Sequence, residues 1–471
     1  MSSSELDYIP PWWIYWLHQF PHINLRLQQI NNTFNPQEEN YQQSLLFLVC
    51  LSSAALGVNL LVLALYLSFL CCCRKKSEAD DEDETKKPSS HCVTWTAVTA
   101  GLLSCIAVGV GFYGNSETND GVYQLTYSLY NTNHTLVGAE DLVSSTLDGI
   151  QGGLKEHLSR LDEIFATRSD FVKSLKLMQQ MAENLIKQLL GLPDWEQAKV
   201  DLTHIADRTA VVEYYRWLTY LLILIVDLLI CLLACLGLAK KSRCLLTTMM
   251  VFSMLILIVS WASLGVDVAT AVGVSDFCVS PDKFIMNKTK DVISSDIVHY
   301  YLYCSQTLPN PFQQSLTIVQ RSLTAMQINV QGLLKFAVPL FPTAESDLLS
   351  LKLMLNNSEA QLHQITALLD CRGINKDYLD ALMGVCYDGV EGLLYLSLFS
   401  LLSVTAFCIM MGVIPRAWTQ INNRKVWVCS ICIKVFIFVC MFSLQYSPTM
   451  RANYLSMSED QMRHFGDDFR A

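Results

Sequence analysis

Apolar residues along this chain follow two patterns. Five runs, at 44–70, 92–113, 217–239, 245–267 and 393–414, are apolar almost throughout, with Asp227 and Asp267 the only charges inside them. Each meets the requirement of about 20 apolar residues for a helix that crosses a bilayer. Elsewhere the apolar positions recur at helical spacing. Leu147, Leu154, Leu161, Arg168, Leu175, Ala182 and Leu189 fall every seven residues, flanked by Leu158, Phe165 and Val172. That stripe predicts long helices with Arg168 as the one break in an apolar seam. A second set, Leu316, Leu323, Met326, Val330 and Leu333, is interrupted at Pro339 and Pro342 and resumes from Leu348 to Leu369,. The expected fold is all-α: a polytopic membrane protein with five transmembrane helices and a helical bundle built from the two segments between them.

Lys and Arg in the short loops orient the spans. Arg74, Lys75, Lys76, Lys86 and Lys87 fall in loop 71–91, and Lys240, Lys241 and Arg243 in loop 240–244, whereas the leader 1–43 carries only Arg26. Positive charge stays inside, so both loops are expected to be cytoplasmic, the leader and segments 114–216 and 268–392 extracellular, and the tail 415–471 cytoplasmic. The leader lacks a basic stretch followed by an apolar core, so the first span is expected to act as the signal anchor. Its Trp12, Trp13, Tyr15 and Trp16 suit the headgroup region.

Composition agrees with that topology. Hydrophobic residues make up 52% and charged ones 16%, against roughly 25% charged in soluble domains. The four N-glycosylation sequons, at Asn31, Asn133, Asn287 and Asn356, all fall in segments assigned outside,. Of 17 cysteines, only Cys278, Cys304, Cys371 and Cys386 do. An even number in one segment fits a disulfide staple, with three pairings open.

The net charge of −10 and the lack of a basic stripe argue against nucleic-acid binding,. No phosphate loop, H-E-x-x-H motif or nucleophile elbow points to an enzyme. Cys429-x-x-Cys432 has no second pair to complete a zinc site. What remains is sparse. Asn115-Ser116-Glu117-Thr118-Asn119-Asp120-Gly121 gathers oxygen-bearing side chains and a glycine suited to a tight turn where the second span ends, which fits a hard cation such as calcium or a polar cap and turn. Arg168, in an apolar seam, needs a carboxylate partner or a wet, anion-attracting path, and the ion pair is the plainer reading. Asp227 is an intramembrane carboxylate, suited to a functional site or to a hydrogen bond made while protonated. Cys71, Cys72 and Cys73 beside basic residues are candidates for S-palmitoylation.

Four segments are specific enough to suggest a family. Asp7-Tyr8-Ile9-Pro10-Pro11-Trp12-Trp13, the run from Gly111 to Gly121, Glu213-Tyr214-Tyr215-Arg216-Trp217 and Tyr300-Tyr301-Leu302-Tyr303-Cys304-Ser305-Gln306 resemble the tweety homologue family, and the resemblance covers residues 7 to about 420. It implies five spans, a four-helix extracellular domain and a chloride or volume-regulated anion channel, with calcium linked to some members. Carried over, it puts calcium ligands on Glu117 and Asp120, disulfides at Cys278–Cys386 and Cys304–Cys371, and the pore-linked arginine on Arg168, while Asn115 and Asn119 of the same oxygen-bearing run are candidate supporting oxygens. The chain departs from the family in two places. An Arg-Gly-Asp triplet found in many members reads Arg168-Ser169-Asp170 here, and in place of a Pro-rich tail with a PPxY ubiquitin-ligase motif stands an apolar segment at 426–444.

These readings combine into an expectation: a plasma-membrane anion channel for chloride and small organic anions, with Arg168 setting anion preference, no covalent chemistry and a homodimer as its assembly. The rival expectation is a non-conducting lipid-binding or adhesion protein whose dimer is bridged by calcium. The spans themselves lack the regular polar stripe of a water-filled path, which keeps the rival in play.

Overall fold

The computed structural model describes residues 8–77, 90–193, 195–240, 243–305 and 307–420. Among them run thirteen α-helices: α1 (Trp12–His18), α2 (Glu39–Ser77), α3 (Ser90–Asp148), α4 (Lys155–Ile164), α5 (Ser169–Leu190), α6 (Glu196–Lys240), α7 (Arg243–Val279), α8 (Pro281–Thr289), α9 (Ser295–Tyr303), α10 (Gln313–Phe336), α11 (Glu345–Leu368), α12 (Cys371–Met383) and α13 (Val390–Gln420). Five helical stretches are long and apolar enough to cross a membrane, so the chain is a multi-pass membrane protein,. The side chains of Cys71, Cys72 and Cys73 and the apolar segment 426–444 lie outside what the structure describes. The chain divides into two compact units, and α3 and α6 run unbroken from one into the other.

Of the described residues, the unit holding the spans comprises Pro10–Gly121, Val212–Val279 and 386–420. Within it α7 is the hub, packed by α1, α2 and α13. Its interior is Ala100, Ile230, Met249, Ile256, Leu257, Val404, Phe407 and Met410, with a second cluster at Ala107, Val108, Leu224 and Phe399. Leu51, Val58, Leu61, Leu65, Leu222, Leu229, Val251 and Leu255 point outward. A helix apolar on every face needs lipid on the side that no neighbour covers. The leader is folded against this unit: α1 buries Ile14 and Leu17 and leaves Trp12 and Trp16 exposed. One fully buried carboxylate, Asp276 of α7, receives His18 Nδ1 at 2.8 Å, His22 Nε2 at 2.8 Å and the Tyr41 hydroxyl at 2.7 Å.

The other unit, built from Val122–Val211 and Ser280–Val385, is a helical bundle with one large apolar core. α5 packs on α10, α10 on α11, and α11 on α4 and the π-helical turn before it. The second predicted stripe is realised as α10 and α11: Leu316, Leu323, Met326, Val330, Leu333 and Leu348 are all buried, and the chain reverses between them at the proline-bearing turn. The first stripe is not one helix. It folds back at 165–168, so that Leu154 and Leu161 precede the reversal and Leu175, Ala182 and Leu189 follow it. Arg168 is therefore the exposed residue that opens α5, not a guanidinium inside an apolar seam. Heptad spacing survives because two antiparallel helices present their apolar faces to one core, and the turn between them spans a single heptad position.

Of the three pairings open to the four cysteines, the structure makes Cys304–Cys371 in the bundle and Cys278–Cys386 in the span-bearing unit. The latter ties the end of α7 to a π-helical turn, Gly384–Gly389, that leads into α13.

Candidate functional site

No turn interrupts the run from Asn115 to Gly121: α3 continues through it as helix. Gly111, Gly114, Asn115, Thr118 and Asn119 share its packed face, at the spacing that puts residues three and four apart side by side,. The polar side chains that looked like a cap are instead satisfied inside the helix packing. Asn115 donates to Trp217 O and accepts from Arg216, which also grips Glu213, and the Thr118 hydroxyl donates to Gly114 O at 2.9 Å. Asn115 is thus engaged by its neighbours, and Glu117 and Asp120 lie on the other side of the helix.

Two glycines decide what those carboxylates meet. A Cβ on Gly114 would stand 2.8 Å from Tyr395 Cβ and 2.9 Å from both Gly392 O and Leu396 N, while one on Gly392 would strike the Thr118 backbone and hydroxyl. With hydrogen on both, α3 and α13 cross backbone against backbone. This crossing brings Asp388 and Glu391 alongside Glu117 and Asp120. The π turn and the Cys278–Cys386 bond set where Asp388 points. Such π segments often mark functional sites.

The four carboxylates act on one another. Although Asp120 as a whole is solvent-exposed, partial desolvation of its carboxylate, then the charges of Glu117 and Asp388, push it from an ordinary 3.8 up to about 6. Burial and Glu117 raise Asp388, and burial, Glu117 and Asp388 raise Glu391. Glu117 also accepts a hydrogen bond from Tyr113, whose ring meets Tyr395 edge-on at 4.9 Å. Mutual repulsion among oxygen ligands is the condition that a hard divalent cation relieves. Among the described residues no three His, Cys, Asp or Glu side chains converge closely enough to cage an ion by themselves. The donors are carboxylate oxygens, the kind that hard divalent cations take. The sequence reading names Glu117 and Asp120 and not Asp388 and Glu391, although Asp388-Gly389-Val390-Glu391-Gly392, acidic and glycine-rich just before a span, carries the same signal.

The sequence model of the tweety family matches residues 9–427, which takes in all five spans and both groups of helices between them. The chain belongs to the tweety family. It is 57% identical to protein tweety homolog 2-like of Danio rerio over 100% of both chains, and 59% identical to protein tweety homolog 2 of Xenopus laevis over 90% of this chain and 79% of that one. Protein tweety homolog 1 of Bos taurus matches at 45% over 87% of this chain and 91% of its own, so this tweety chain is more similar to the homolog 2 sequences than to that one. Membership of this family sets the chain apart from enzymes.

Of the other residues that the tweety resemblance singles out, Arg168 is separated from Val122 by roughly 60 Å of helical path along α3 and α4, and its backbone N–H bonds Phe165 O at 2.8 Å. Asn31, Asn287 and Asn356 are exposed, as a glycan requires, while Asn133 is half-buried with its Oδ1 fully enclosed. Asn119 is buried on the packed face of α3. Asp227 is fully buried in α6 and receives the Ser403 hydroxyl at 3.2 Å.

Proposed function

We propose that this tweety-family chain is an anion channel of the plasma membrane, passing chloride and small organic anions, with its leader and the two long helical segments outside and its tail inside. Family membership across residues 9–427 carries the reading. Arg168 acts in it as an exposed positive charge that gathers anions in water. It is not a ligand in a tight filter, because its side chain stands free of the apolar core. In liposomes holding only the purified protein, Arg168→Glu is expected to lower chloride flux several-fold at low ionic strength and by much less at high salt, where the Debye length shrinks. Wild-type flux no greater than that of empty liposomes would defeat the channel reading. Mapping glycans on Asn31, Asn287 and Asn356 tests the orientation.

A second reading is favoured by the acidic cluster: a non-conducting lipid-binding or adhesion protein whose two copies are bridged by calcium, with Glu117 and Asp120 of each chain completing a shell that one chain leaves open. Glu117→Ala with Asp120→Ala is then expected to shift the purified protein from dimer to monomer in calcium. An oligomer that ignores both chelator and mutation would count against the site. The pH dependence has a definite sign. Asp120 is raised in the folded state, so its contribution to stability is complete below 3.8 and lost as pH rises through about 6,. In chelator the protein should weaken across that window, and calcium should restore stability above about 6, where it no longer competes with a proton.

A further inference from the structure

Asp227 sits near the middle of its span, about 15 Å of helix rise below Trp217. Its Oδ2 takes the Ser403 hydroxyl and its Oδ1 has no hydrogen-bond partner in the protein. An unpaired ionised carboxylate at that depth is costly. Its surroundings are not uniformly apolar. Ser403 and Ser400, both fully buried, stand one turn apart on α13. Ser400 Oγ meets Ser263 Oγ of α7 at 2.8 Å. Ser263 in turn reaches the Tyr220 hydroxyl, and that hydroxyl donates to Asp267 Oδ1 at 2.5 Å. Asp267 Oδ2 is again unpartnered and buried. Arg216 lies over the Tyr220 ring at 5.8 Å and its charge acts on Asp267, while its other face holds Glu213 at the end of the span.

Named in order, Arg216, Asp267, Tyr220, Ser263, Ser400, Ser403 and Asp227 form a file of polar groups from one boundary of the spans to their midpoint, on three helices of one unit. The step from Ser400 to Ser403 is wide, about 5 to 6 Å between side chains one turn apart, and Ser263, whose hydroxyl also donates to Ser260 O at 3.1 Å, neighbours the Tyr220 hydroxyl without a direct hydrogen bond. One water bridges such a gap where polar partners surround it. Ser260, one turn from Ser263 on α7, supplies a further buried hydroxyl with no protein partner.

We propose that α6, α7 and α13 build a proton relay that loads Asp227 from the outer face. Its ligand is a proton, entering beside Arg216 at Asp267. In the net step one proton leaves outer water and one arrives on Asp227 Oδ1. Each hydroxyl between gives up a proton and accepts another, so the relay is restored and Asp227 becomes neutral. The ionisable groups that act on Asp267 are Tyr220 and Arg216, and the side chain that acts on Asp227 is Ser403. The word "outer" rests on the topology proposed above. The relay itself does not depend on conduction.

The test is infrared difference spectroscopy of the purified full chain in lipid. A protonated carboxylic C=O band is expected that shifts in deuterated buffer and vanishes in Asp227→Asn. Should that variant fail to fold, Asp227→Glu assigns the band by moving it. Tyr220→Phe, which removes one hydroxyl from the file, is expected to slow deuterium uptake at Asp227 by about a hundredfold. A band that never exchanges would make Asp227 a structural hydrogen bond, and no carboxylic band at any pH would mean a carboxylate that stays ionised. Unchanged exchange in Tyr220→Phe would break the relay. Any of the three overturns the proposal, and none reads anion flux.

Discussion

Gly392→Val is expected to be among the most damaging single changes in the span-bearing unit. The new side chain would drive into the backbone and hydroxyl of Thr118 and toward Gly114 O, which a Cβ would meet at 2.8 Å. Backbone cannot rotate away as a flexible side chain does, so α3 and α13 must separate. Overpacking costs about 1–3 kcal/mol where side chains can adjust, and a backbone clash belongs at or above the top of that range. Separation also parts Glu117 and Asp120 from Asp388 and Glu391. The variant should therefore melt earlier in detergent and lose any calcium-dependent gain in melting temperature together. Gly109→Ala is the control, because a Cβ there meets nothing within 4 Å. It should be neutral or stabilise by up to about 1 kcal/mol, since alanine is the better helix former. Equal damage from both would show that the crossing does not depend on the glycine.

Asp276→Ala is expected to detach the leader. The carboxylate is fully buried and holds two imidazoles and a phenol that come from residues 18, 22 and 41, far away in the chain. Removing it leaves His22 and Tyr41 buried without their acceptor, and breaking one side of a buried pair costs about 3–5 kcal/mol. Limited proteolysis between residues 19 and 38 should become rapid, with the span core intact by melting. Asp276→Asn keeps an acceptor and should fall between. Burial lowers the His22 imidazole, but the hydrogen bond and charge of Asp276 outweigh it, so the folded value lies above 6.5. That contribution is complete below 6.5 and is lost as pH rises through the raised value. Leader protection should therefore weaken as pH rises above 6.5 in the wild type and show no such dependence in Asp276→Ala.

Neither clasp nor crossing was legible beforehand, and for the same reason. His18 and His22 each lie more than 250 positions from Asp276, and nothing in local spacing says that two imidazoles will meet one carboxylate. Gly114 and Gly392, each at the polar edge of an apolar run, carry no local sign that two backbones will touch there. Arg168 shows the opposite failure. Its heptad position marks an interruption, yet periodicity is blind to direction, and two antiparallel helices share a phase as readily as one long helix does. The residues from Asn115 to Gly121 favour turns, but α6 engages Asn115 and Thr118 bonds the Gly114 carbonyl within α3, so tertiary contact overrides a weak local preference,.

What the sequence determined by itself is what depends on solvent and on period: five helices apolar on every face, which only lipid can accommodate, and two amphipathic stretches that must share a core, stopped where proline removes a backbone donor. Those consequences are local, summed over many residues, and survive ignorance of the partner. The tertiary structure alone decided which carboxylates stand together at the α3–α13 crossing, that Asp276 gathers the leader, and that serines on separate helices line up between Asp267 and Asp227. Each depends on a few contacts between distant residues, where a shift of one turn would bring a different side chain into place.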